Sequence, residues 1–209
     1  MSVKQQQPAP QVPPLANPTP LGLFGLAIVT LVASSQKLGL TEGTALVIPW
    51  AIFLGASAQL YASISDAKLN NTFGATAFGA YAFFWYGVAS TWLVQNGVFG
   101  ETMQANADPH QLGVAFLGYF IFTCYMTVGA MATNKVLFAI FVLIDFLFLG
   151  LFTSSLGIME HPMHLLAAYA ELGIAMLSFY GSAAAVLNTQ YGKVILPIGS
   201  PFPVFQDKK

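Results

Sequence analysis

Charge is what this 209-residue sequence has least of: 7% of its residues are Asp, Glu or Lys, and arginine does not occur. Soluble domains carry about 25% charged residues, so a water-facing surface built from this chain would aggregate. The net charge of −1 leaves no basic field for nucleic acid. The single cysteine, Cys124, excludes an intramolecular disulfide, and its apolar surroundings read as packing. His161 and His164 in "HPMH" have no supporting cysteine, so no metal is expected. A Gly-x-Ser-x-Gly turn, an Asp-Asp pair and a His/Glu ligand spacing are all missing. Neither an enzyme nor a cofactor is expected. What remains is apolar: hydrophobic residues make up 56% of the chain, and the solvent that suits them is a lipid bilayer.

A bilayer core takes about 20 mostly apolar residues in helix. Six windows qualify, at about 20–36, 43–63, 73–95, 112–133, 136–156 and 163–188. They predict an all-α membrane protein, a six-helix transmembrane bundle over residues 17–199. Residues 1–16, "MSVKQQQPAPQVPPLA", contain no apolar stretch of signal-peptide length and read as a flexible tail. Residues 200–209 form a short C-terminal tail. With the N-terminus in the cytoplasm, Lys4, Lys68, Lys135, Lys193, Lys208 and Lys209 lie inside and Lys37 alone lies outside. That asymmetry predicts cytoplasmic termini at both ends, in a plasma membrane.

Two carboxylates fall within the windows, Asp145 in the fifth and Glu171 in the sixth; Asp66 is placed at a break. At 1.5 Å of rise per residue, Asp145 lies about 15 Å from the inner end of its helix and Glu171 about 12 Å from the outer end. Both depths are close to the midplane. A charge there costs at least about 2.5–3.5 kcal/mol, so each acid is expected to face protein or water. Asp145 shares a face with Phe138, Phe141, Phe148 and Phe152; Glu171 shares one with His164, Ala175, Ser178 and Ser182. Either acid reads as a proton carrier on a path or as a structural group at a helix contact. Gln59, Tyr61, Thr76, Tyr81, Tyr119 and Tyr125 add polar groups within the windows. Frequent helical glycines, among them Gly25, Gly55 and Gly181, predict close helix crossings.

Three longer motifs narrow the reading. "NPTPLGLFGL" opens the first window; Asn17 suits a helix N-cap, Pro18 the first helical position, and Pro20 is still early enough to be tolerated. "NNTFGATAFGAYAFFW" opens the third window, and "LNTQYGKVILPIG" closes the chain after the sixth. Together, in this order, they resemble the signature segments of the acetate and succinate permease family, the acetate uptake transporters. Asn17, Pro18, Pro20 and Gly22 match the first signature, whereas Thr19 departs from its usual alanine.

The resemblance implies a homohexamer with a separate pore through each six-helix protomer. It also implies a hydrophobic constriction made by Leu26, Tyr81 and Ile144, where Leu26 replaces an aromatic residue found in some relatives. The expected cargo is acetate, other small monocarboxylates or succinate, accompanied by protons, with Asp145 and Glu171 as the first proton-coupling candidates. A constriction of this kind stops ions by dewetting. The Tyr81 hydroxyl is a candidate donor to the passing carboxyl group. A passive channel for acetate, or for neutral solutes such as urea or ammonia, would use the same constriction and stays open as an alternative.

Overall fold

The computed structural model describes residues 15–203, and every regular element among them is a helix. The N-terminal tail read over residues 1–16 thus lies almost wholly outside the described residues, as does the end of the C-terminal tail. Six long helices follow in order: α1 (Thr19–Lys37), α2 (Val47–Lys68), α3 (Thr72–Gln95), α4 (Pro109–Ala130), α5 (Lys135–Ser155) and α6 (Glu160–Tyr191). A short helix, Glu101–Ala105, rides in the loop between α3 and α4. Five of the long helices are apolar and long enough to cross a membrane. The sixth, α3, is comparably long but dilutes its apolar residues with Gly, Ala, Thr and Tyr.

Local chemistry sets the helix ends. Asn71, Asp108 and Asn134 cap α3, α4 and α5, each side-chain oxygen accepting a backbone N–H of the first turn. The first helix starts one residue later than its motif suggests. Pro18 occupies the cap position, and the Asn17 side chain accepts the Thr19 N–H at 3.0 Å. The C-terminal motif is a clasp. After Gly192 ends α6 in the left-handed region, the Asn188 oxygen accepts the N–H groups of Ile195 and Leu196. Its amide donates back to the Leu196 carbonyl. The tail then pairs with the start of α5, Val136 N–H donating to the Ile198 carbonyl.

The helices close into a ring in the spatial order α4–α5–α6–α1–α2–α3. Small residues let the backbones touch. A Cβ on Gly150 of α5 would sit 2.5 Å from the Met163 carbonyl oxygen of α6, and one on Gly25 of α1 would overlap the Leu54 carbonyl of α2. The Ser182 hydroxyl of α6 donates to the Pro20 carbonyl at one end of α1. At the other end, the Lys37 ammonium meets Glu171 at 2.8 Å. Across the last gap, the Tyr119 hydroxyl of α4 donates to the Ala80 carbonyl of α3. The helix α4 is the least covered of the five apolar spans, with Val114, Ile121, Tyr125 and Val128 turned outward. Such a face suits lipid or another protein surface.

Candidate functional site

Inside the ring lie two cavities, one toward each end. The first, of about 230 Å³, opens near the start of α1, the end of α2 and the α4–α5 turn. Thr19, Asp66, Asn71 and Asn134 ring its mouth, and Leu26, Gln59, Tyr81 and Ile144 lie deep within it. The second, of about 190 Å³, opens at the opposite end and is lined by Lys37, Phe84, Trp85, Leu151, His164 and Glu171, among others. The three residues expected to form the constriction therefore border one cavity from three helices, α1, α3 and α5.

Reading the lining along each helix locates what separates the cavities. On α1 the first cavity ends at Leu26 and the second begins at Gln36; Val29, Thr30 and Ala33 between them are sealed at 0–2% exposure. On α5 the first ends at Ile144 and the second begins at Leu151, with Phe148 between them at 1% exposure. On α3 the change falls between Tyr81 and Phe84. From the helical rise, the septum is about 5–15 Å thick, depending on the helix. Phe148 is its centre: its ring stacks on Tyr81 at 6.4 Å and Tyr119 at 5.5 Å, and meets Phe84 edge-on at 5.1 Å. Sequence reasoning grouped Phe148 only with the neighbours of Asp145, because the other rings that pack on it come from α3 and α4.

Tyr81 and Asp145 both find their hydrogen-bond partners on α4. The Tyr81 hydroxyl lies 2.9 Å from Thr123 Oγ1. Thr123 spends its own proton on the Tyr119 carbonyl, so Tyr81 donates to Thr123 and not into the cavity. Asp145 reads from the sequence either as a proton carrier on a path or as a structural group at a helix contact, and the roughly 100° step from Ile144 turns it toward α4. There Oδ2 accepts the Thr127 hydroxyl at 2.7 Å, while Oδ1 is buried with no donor among the described residues. Cys124 itself is exposed on the outer surface rather than packed inside.

Glu171 does face a cavity, the second one, where it is 2% exposed and paired with Lys37. Lys37 thus belongs to the end of α1 and a buried ion pair, not to a free loop. Asp66, read as part of a break, is also 2% exposed and lines the first cavity. It was missed because the second window was ended at residue 63, whereas α2 runs on to Lys68. Gln59 and Asp66 are seven residues apart, nearly two full turns, and that spacing was the available signal that they share a face. His161 and His164 border a shallow depression with Glu160. No group of three metal-ligating side chains occurs among the described residues.

A helical ring with an apolar septum between opposed cavities can be set against known proteins. The profile of the GPR1/FUN34/yaaH family matches residues 2–203. The chain belongs to this family. It is 33% identical over 186 residues to the succinate-acetate/proton symporter SatP of Escherichia coli (strain K12), covering 88% of this chain and 96% of that protein. It is 28% identical to acetate permease A of Emericella nidulans, over 88% of this chain and 65% of that one. It is 31% identical to ammonia transport outward protein 2 of Saccharomyces cerevisiae, over 90% and 67%. Among solved structures, the bacterial acetate channel SatP superposes with a TM-score of 0.81 at 30% identity, covering 88% of this chain and 99% of that one. This family member is an integral membrane protein.

Proposed function

We propose that the chain carries acetate and related short monocarboxylates across the plasma membrane together with protons, through a pore within each protomer. In this reading all six long helices span the bilayer, α3 included, and both termini face the cytoplasm. The lysine asymmetry supports that orientation, and succinate is a further candidate cargo. The inner cavity, floored by Leu26, Tyr81 and Ile144, and the outer one, at Lys37 and Glu171, are then the two vestibules of the pore. The observation that carries the proposal is the septum: a thin apolar partition, closed by Phe148, between two lined cavities. A bare carboxylate is expensive to bring into such a partition, which supports passage with a proton. The open faces of α4 support assembly into a homo-oligomer, and the family resemblance makes a hexamer the expected size.

The test is labelled acetate uptake into proteoliposomes at several transmembrane pH gradients, corrected for empty liposomes. Uptake that rises with an inward proton gradient supports symport. Facilitated uptake indifferent to the gradient refutes symport and leaves a passive channel, a second reading supported by the likeness to a structure described as an acetate channel. Inhibition of acetate uptake by urea or ammonia would extend that channel to neutral solutes.

A further inference from the structure

The inner cavity has an unbalanced hydrogen-bonding inventory. Its polar lining consists of Thr19, Gln59, Asp66, Asn71, Tyr81, Thr133 and Asn134. Most of their donors are committed elsewhere. The Gln59 amide donates to the Gly55 carbonyl at 2.7 Å and the Asn71 amide to Asp66 Oδ1 at 3.0 Å. Tyr81 donates to Thr123, and Thr133 to the Ala130 carbonyl. Two acceptors remain over: Gln59 Oε1 and Asp66 Oδ2 are buried, and no donor from the described residues meets either. A buried acceptor without a donor is costly, and native proteins keep few of them. Gly74 lies against Asp66 Oδ2, and any Cβ there would overlap it. The missing side chain leaves that oxygen room.

Among the described residues, no cation balances Asp66. Besides Asp66, the only titratable side chain in the lining is Tyr81. Asn71, the cap of α3, and Gly74 contact Asp66, and Thr19 from α1 and Thr133 and Asn134 before α5 share the cavity lining with it, all uncharged. Lys68 and Lys135 are exposed at the same end, and the Lys135 stem packs against Gly199. A carboxylate anion entering here would meet a like charge and unmatched acceptors. A molecule carrying an O–H would meet what the cavity lacks.

We propose that the inner cavity takes its substrate as the undissociated carboxylic acid, whose O–H is accepted first by Asp66 and then, deeper in, by Gln59. The two acceptors lie on one face of α2, about 10 Å apart along the axis. They form two stations between the mouth and the Leu26–Tyr81–Ile144 floor. The proton that accompanies the substrate travels on the substrate itself, and no residue of the septum has to carry it. This inference rests on the carboxylate-transport reading above and specifies the chemical form bound.

The experiment is isothermal titration of acetate into the full chain in lipid nanodiscs at about pH 6.5, well above ordinary carboxyl pKa values. Paired buffers of different ionisation enthalpy count the protons exchanged. The wild type is expected to take up about one proton per acetate bound, because the anion in solution must be protonated to bind. Asp66→Asn, which removes the negative charge and supplies an amide donor, is expected to bind acetate with proton uptake near zero. Asp66→Glu is expected to restore it. Gln59→Leu is expected to weaken binding while keeping the proton count, a split that a merely structural role would not produce. Acetate binding by the wild type without proton uptake overturns the inference, as does an unchanged count in Asp66→Asn or competition by methylammonium for the same site. Should Asp66→Asn fail to fold, the wild-type and Asp66→Glu counts decide. Facilitated acetate flux with no proton uptake on binding sinks this inference alone, whereas absence of facilitated flux sinks the transport reading itself.

Discussion

Replacing Phe148 by alanine should join the two cavities. The ring is 1% exposed and packs on Tyr81, Phe84, Phe116 and Tyr119, with centroid distances of 5.1–6.4 Å. Deleting a buried phenyl group of this kind costs about 3–5 kcal/mol of stability. Its effect on permeation has the opposite sign. An ion crossing the intact septum gives up hydration worth several kcal/mol, and water admitted to the vacated space returns part of that. Each 1.36 kcal/mol removed from the barrier is a tenfold gain in rate, so even a partial return of about 1.4–2.8 kcal/mol raises ion flux about 10- to 100-fold. Chloride efflux from proteoliposomes measures this directly, beside labelled acetate uptake. Phe148→Ala should leak chloride, while Phe148→Leu, which keeps the space apolar and mostly filled, should leak far less. A folded, monodisperse Phe148→Ala protein that still holds chloride as tightly as wild type would refute the septum reasoning.

Other perturbations address single contacts. Lys37→Met strands the buried Glu171 carboxylate and should cost about 3–5 kcal/mol, most of it recovered in the Lys37→Met/Glu171→Leu double variant. Unfolding midpoints in detergent check this, and equal losses in the single and double variants would contradict it. Tyr81→Phe removes only the bond to Thr123 and should cost about 0.5–1.5 kcal/mol, whereas Tyr81→Ala removes a buried ring and should cost about 3–5 kcal/mol. If both variants melt together, the ring is not what Tyr81 contributes. Gly150→Ala would drive a methyl group to 2.5 Å from the Met163 carbonyl and should destabilise by about 1–3 kcal/mol. Gly118→Ala meets nothing within 4 Å on the outer face of α4 and should be neutral or stabilising; the reverse ranking in thermal shift would disprove the close crossing.

How much of this was legible in the residues differs from element to element. The helix windows were readable because a lipid solvent demands unbroken apolar runs, whereas the caps at Asn71, Asp108 and Asn134 were found only in the structure, which places Pro18 and not Asn17 at the first cap. Leu26, Tyr81 and Ile144 were picked out by resemblance, and the fold brings them to one cavity. Asp66 escaped because a window on mean apolarity stops at the first charge, whereas the helix continues as long as its backbone bonds can form. The rotation of Asp145 toward Thr127 and the turn of the Tyr81 hydroxyl toward Thr123 were not readable, since each depends on a partner from another helix.

Composition alone therefore settled the solvent: a chain with so few charges and so many apolar runs has to place its helices in lipid. What tertiary packing decided was which polar groups meet. Glu171 found Lys37 at a distance of 134 residues in sequence, while Asp66 and Gln59 were left facing a cavity with acceptors to spare. Sequence spacing determines which face of a helix a side chain occupies, but only the neighbouring helices determine whether a donor stands opposite it.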